Sequence, residues 1–219
     1  MKSDIRTILL GICQFLFCAL LSGLAYGLYV LNLEVRVPVE SLIELGQEAL
    51  LLSAGLLMVW TARREKALAG GLWLVAGFLL TLFIRELDGW MDAISLNFWV
   101  YVVIIWLCVV AWLVKDAGLW TVIPGLAHFI GHRAFPIICA GVAILLVYSR
   151  LYGKKTLWLA YAGDACQGFY AVKTLSEEST ELLAYMMIFT SVVFYAGNCL
   201  RMRRRRDRAL RRRTLEMQG

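Results

Sequence analysis

Residues 96–115, LNFWVYVVIIWLCVVAWLVK, decide the class of fold. Their single charge, Lys115, stands at the far end, and no glycine or proline interrupts them. A helix that is apolar on every side belongs either in the core of a large protein or in a membrane. A membrane span needs roughly 17–25 such residues to cross about 30 Å of hydrocarbon. Similar runs occupy about 7–31, 41–62, 68–86, 134–151 and 179–199, in a chain of 219 residues that is 61% hydrophobic, whereas soluble domains sit nearer one half. The first run extends well past the roughly 7–15 apolar residues of a signal peptide, and no clear small-x-small cleavage site follows it, so it reads as a span. The expected fold is an all-α, polytopic membrane protein, a bundle of about six transmembrane helices over residues 1–200. An Arg-rich tail follows over 201–219. Pro38 marks the start of the second span, and Gly70 and Gly71 lie near the start of the third. Two longer connections, 116–133 and 153–178, break the pattern of short polar turns.

Orientation follows from Lys and Arg near the span ends. With both termini in the cytoplasm, the inner side holds Lys2, Arg6, Arg63, Arg64, Lys66, Lys115, Arg133 and the arginines of the tail. The outer side holds Arg36, Arg85, Arg150, Lys154, Lys155 and Lys173. The expected location is therefore the bacterial inner (plasma) membrane, with both termini cytoplasmic. The tail, LRMRRRRDRALRRRTLEMQG, abuts the last span, and its expected partners are anionic lipid headgroups. Nucleic acid is the less fitting partner for a basic run in that position.

The acids divide the opposite way. Each even-numbered span starts from the outer side through an acidic turn, in VPVESLIELGQEALLLSAG, RELDGWMDAISLNFWVYVV and KTLSEESTELLAYMMIF, a weak internal repeat. Glu40, Glu44 and Glu48 are spaced i, i+4, i+8 and form one helical stripe, as do Arg85, Asp88 and Asp92 at i, i+3, i+7 and Glu177 with Glu181 at i, i+4. Glu178 is expected to point elsewhere. Ionisable groups inside a span are costly, face the bundle interior and pair. Arg85 is the obvious basic partner. Glu44, Glu48, Arg85, Asp88, Asp92, Glu177 and Glu181 are thus the candidate ligand-binding residues, with Glu48, Asp92 and Glu181 deepest. Oxygen-rich sites suit hard divalent cations, and carboxylates shifted by burial serve proton coupling. The bland alternative is a solvated rim whose acids stabilise helix N-termini.

His128 and His132, in GLAHFIGHR, are the only histidines. Their i, i+4 spacing is a usable metal-ligand geometry, but no HExxH surrounds them. A membrane-surface segment with its histidines on the wet side is the plainer expectation. Six cysteines without a CxxC pair are expected to behave as small buried apolar residues; Cys166 alone sits in a polar stretch. The stretch TLWLAYAGDACQGFYAVKTL, with Trp158, Tyr161, Phe169 and Tyr170, reads as an interfacial belt, with Asp164 and Gln167 as candidate lid residues. No Walker loop, dinucleotide glycine motif or GxSxG is present, and no catalytic residue can be named.

The leading expectation is a small integral membrane protein, transport- or binding-type, whose outward-facing acidic vestibule binds a cation or cationic substrate group, a divalent metal ion being one candidate. The alternatives are an accessory or assembly subunit of a larger membrane complex, with a protein partner or a second copy of the chain, and a metal-dependent membrane enzyme acting on a lipid-linked substrate through His128 or His132.

Overall fold

The computed structural model describes residues 2–35, 39–92, 95–162 and 169–216. Among the described residues there is no strand. The helices are α1 (Lys2–Val35), α2 (Val39–Arg64), α3 (Ala69–Glu86), α4 (Asp88–Asp92), α5 (Phe98–Ala117), α6 (Val122–Ile130), α7 (Phe135–Ala143), α8 (Arg150–Gly153), α9 (Lys155–Ala162) and α10 (Phe169–Glu216). A π-helical segment, Ile144–Ser149, joins α7 to α8. Six stretches are long and apolar enough to cross a membrane: Ile8–Leu31, Leu42–Arg64, Lys66–Glu86, Phe98–Ala117, Phe135–Gly153 and Tyr170–Ala209. The protein is an all-α integral membrane protein.

Within the connection over 153–178 the described residues include α9 and the start of α10 at Phe169. The basic residues that follow the last span lie on α10, which continues without a break to Glu216.

The chain forms two compact units, residues 1–49 with 140–190 and residues 50–139 with 191–219. In the first, Leu182, Tyr185 and Ile188 of α10 are buried, at spacings that keep one helical stripe inward. Small residues bring backbones close, as membrane helix packing requires: a Cβ on Gly141 would lie 2.9 Å from the Ala184 carbonyl oxygen. Phe17 of α1 meets Phe189 with ring centroids 6.2 Å apart.

In the second unit α3 is the central element, with Ala69, Gly70, Gly71, Leu72, Trp73, Ala76 and Leu79 all buried. Gly71 and Gly125 let α3 and α6 touch backbone to backbone; a Cβ on Gly125 would lie 2.8 Å from the Gly71 Cα. The Gly70 N–H donates to Thr121 Oγ1 at 2.8 Å, and that hydroxyl donates to the Gly118 carbonyl at 2.7 Å. Gly118 itself has φ 91° at the end of α5, a conformation that costs glycine little and other residues more. Trp106 of α5 donates through Nε1 to the Gly77 carbonyl at 3.1 Å. At the basic end, Arg64 lies 4.5 Å over the Trp60 ring, and Arg203 Nη1 donates to the Arg64 carbonyl at 3.1 Å.

Candidate ligand-binding site

In the first unit, α2, the π-helical segment and α10 each place one polar side chain where a core residue would stand. Gln47 is 1% exposed, Ser149 is fully buried and Glu181 is 7% exposed. Gln47 Nε2 lies 3.0 Å from both the Glu178 backbone carbonyl and Glu178 Oε2, and donates to them. The Ser149 hydroxyl donates to Glu181 Oε1. Ser149 closes the π-helical segment, a local widening of the helix that recurs at functional sites because it re-aims a side chain. Glu44, Glu177 and Glu181 lie within electrostatic reach of Glu178. Beside this group, Tyr29 donates its hydroxyl to Ser179 Oγ at 2.9 Å.

The charges are unevenly balanced. Glu177 Oε2 pairs with Lys173 Nζ at 2.8 Å. Neither Glu178 nor Glu181 pairs with a Lys, Arg or His among the described residues; their donors are the neutral Gln47 and Ser149. A buried carboxylate held only by neutral donors keeps a large desolvation cost unless a cation or a proton joins it.

Of the residues expected from sequence, Glu44, Glu48, Glu177 and Glu181 fall in the first unit. Glu181 is buried as expected, but Glu48 is only half-buried and Glu44 is exposed. Glu48 is therefore not among the deepest members; the adjacent Gln47 takes the inward position. Glu178, expected to point elsewhere, turns to Gln47. The side chains of Glu40 and Asp92 lie outside the described ones, as do Asp164, Cys166 and Gln167. Arg85, Asp88 and Asp92 belong to the second unit. There Arg85 Nη2 stands 3.6 Å from Glu86 Oε1, and Asp88 opens the five-residue helix α4.

The two histidines are half-buried and face one tyrosine ring. His128 Nδ1 and the Tyr195 hydroxyl are 2.9 Å apart, and His132, two residues beyond the end of α6, meets the same ring edge-on at 5.2 Å. The Ala134 N–H donates to His132 Nδ1 at 3.2 Å, so neutral His132 carries its proton on Nε2. Desolvation, with His128 and Arg133 nearby, lowers the His132 pKa from the usual histidine value. Tyr195 also hydrogen-bonds Cys199. Among the described residues no group of three or more His, Cys, Asp and Glu is arranged to hold a metal ion. The cysteines also depart from expectation. Cys199 is buried, while Cys13, Cys18, Cys108 and Cys139 are exposed within apolar spans, where the surrounding medium is lipid.

Sequence reasoning missed Gln47, Ser149 and Glu178. The available signal was a polar residue inside an apolar run, in ELGQEALLL and in LLVYSRL. No protein-family model, curated protein or solved structure matches the chain.

Proposed function

We propose that this is a small transport- or binding-type membrane protein whose carboxylates Glu178 and Glu181 take up a cation or a cationic substrate group. The observation that carries the reading is that Glu181, 7% exposed, is held by the neutral Ser149 with no basic partner among the described residues. Glu178, held by the neutral Gln47, repeats the pattern. Capture is electrostatic, in a low-dielectric site where a unit charge interacts far more strongly than in water. Gln47 and Ser149 orient the two carboxylates. A hard divalent cation and an organic ammonium both fit a set of oxygen donors. Counting basic residues at the span ends, the site faces outward, the termini are cytoplasmic and the membrane is a bacterial inner membrane.

The test is elemental analysis and equilibrium binding on purified protein beside Glu181→Gln and Glu178→Gln. Bound divalent metal or a bound amine, lost in both variants, supports the reading. Parent and variants that bind neither overturn it.

A second reading, an accessory subunit, draws on one observation. The span Ile8–Leu31 contributes no buried residue, so beyond its contacts at Phe17 and Tyr29 α1 leaves much of its surface to lipid or a partner helix. Copurification of a stoichiometric partner would favour it.

A further inference from the structure

In the second unit, the last turn of α2, the first turn of α3 and the last turn of α5 surround a cleft of about 900 Å³, counted with the solvent in its mouth. Arg63, Lys66 and Asp116 supply its charges, and Trp73 and Leu113 its apolar wall. The Arg63 guanidinium stands 6.0 Å over the Trp73 ring, a cation–π placement that fixes it at the cleft. None of the three charged groups has an ion-pair partner among the described residues. Three apolar spans end here, at Arg64, Lys66 and Ala117, so the cleft sits at the depth of lipid headgroups. Ala69, the first residue of α3, also lines it; a helix N-terminus favours an anion. The Gly70 N–H is already taken by Thr121, which leaves Arg63 and Lys66 as the main anion donors.

We propose that this cleft binds the headgroup of an aminophospholipid, with its phosphate between Arg63 and Lys66, its primary ammonium on Asp116 and an acyl chain along Leu113. Two cations and one anion match a phosphate and an amine. A purely anionic headgroup would leave Asp116 facing like charge. A choline headgroup would leave it without an N–H donor, and the one ring present, Trp73, is 7% exposed and already covered by Arg63, so no aromatic cage receives a quaternary ammonium. This site is independent of the carboxylates of the first unit.

The experiment is native mass spectrometry of delipidated protein in detergent, with phosphatidylethanolamine, phosphatidylglycerol, phosphatidylcholine and N-acylated phosphatidylethanolamine offered at equal concentration. Phosphatidylethanolamine is expected to exceed the other three. Asp116→Asn should lower its occupancy about five-fold, the factor carried by an exposed ion pair of order 1 kcal/mol, and raise that of phosphatidylglycerol by relieving the like-charge contact. Joint Arg63→Gln and Lys66→Gln substitution should lower both. Equal binding of the N-acylated lipid, which keeps the phosphate and lacks the amine, overturns the proposal on the parent protein alone, whatever the variants do. An unchanged lipid ratio in a folded Asp116→Asn protein overturns it too. Soluble phosphoethanolamine that displaces the lipid at equal concentration would assign the cleft to a free phosphoamine and overturn the lipid assignment.

Discussion

Replacing Glu181 by Gln removes a charge, keeps the shape of the side chain and leaves an oxygen to accept the Ser149 hydroxyl. Glu181 is 7% exposed and Ser149 fully buried, so water contributes little to either. Placing an ionised group in a span costs about 2.5–3.5 kcal/mol on insertion scales. That cost is present in the empty protein and is offset when a cation arrives. The empty Glu181→Gln protein is therefore expected to be at least as stable as the parent. A ligand at a hundred times its dissociation constant stabilises its site by about 2.7 kcal/mol, and this increment should vanish in the variant. The assay is thermal unfolding in detergent, followed by tryptophan fluorescence, with calcium, magnesium, manganese and a primary amine titrated in turn. Asp207→Asn is the control, because Asp207 is exposed and belongs to the second unit, and surface changes away from a site stay within about 0.5 kcal/mol. Two results refute the reasoning. One is an undiminished ligand response in Glu181→Gln. The other is a loss of about 3 kcal/mol or more in the empty variant, the signature of a broken buried ion pair, which would give Glu181 a basic partner.

Three further outcomes are expected. Gly125→Ala places a Cβ against the α3 backbone, 2.8 Å from Gly71 Cα, and should cost about 1–3 kcal/mol or more, whereas Gly23→Ala, with nothing within 4 Å, should be neutral or gain up to about 1 kcal/mol from helix propensity; equal melting temperatures for the two would refute the α3–α6 contact. Tyr195→Phe removes the hydroxyl 2.9 Å from His128 Nδ1 and should cost about 0.5–1.5 kcal/mol, with a change in the His128 proton resonances that an unchanged spectrum would contradict. His132 has its pKa lowered in the folded chain, so the unfolded chain takes up the proton first; stability should fall as pH drops below about 6.5, and His132→Gln should flatten that slope between the unfolded and folded values.

The positions of the six spans were legible because composition alone sets them: an apolar run long enough to cross hydrocarbon has little else to become. The start of α10 was not. Hydropathy breaks at Ser176, Glu177, Glu178, Ser179 and Thr180, so a reading of hydropathy starts the span after them. The helix runs through because four of these residues bond within it, while Glu178 is met by Gln47. Ser176, Ser179 and Thr180 donate to the carbonyls of Val172, Leu175 and Ser176 at 2.8, 2.5 and 2.7 Å, and Lys173 pairs with Glu177 one turn on. Such local bonds, which often compete with a helix, here replace water as its polar environment. The histidines failed for a different reason. Their spacing was readable, but the ring they face, Tyr195, is 67 residues from His128 along the chain, and no local pattern announces it.

The choice between Gln47 and Glu48 shows what a membrane helix hides. In a soluble protein the polar face looks outward, so charges at 44 and 48 and apolar residues at 43, 51, 54 and 58 would have fixed the rotation of α2 at once. In a membrane the outward face is apolar as well, and the contrast between faces that marks a soluble surface helix is lost. The stripe Glu40, Glu44, Glu48 and the stripe Ile43, Gln47, Leu51 have identical spacing, and they differ by one residue, about 100° around the axis. Packing chooses the second: Ile43, Gln47, Leu51, Ala54 and Met58 are all buried at 1% exposure or less. Charge periodicity therefore pointed at the rim. The more telling feature was the single amide set in an otherwise apolar inward stripe. An amide there needs partners, and Glu178 supplies both the carbonyl and the carboxylate that satisfy it. The same logic selects Ser149 as the partner of Glu181. In this protein the buried neutral donors, rather than the density of acids, mark the carboxylates that packing turns inward.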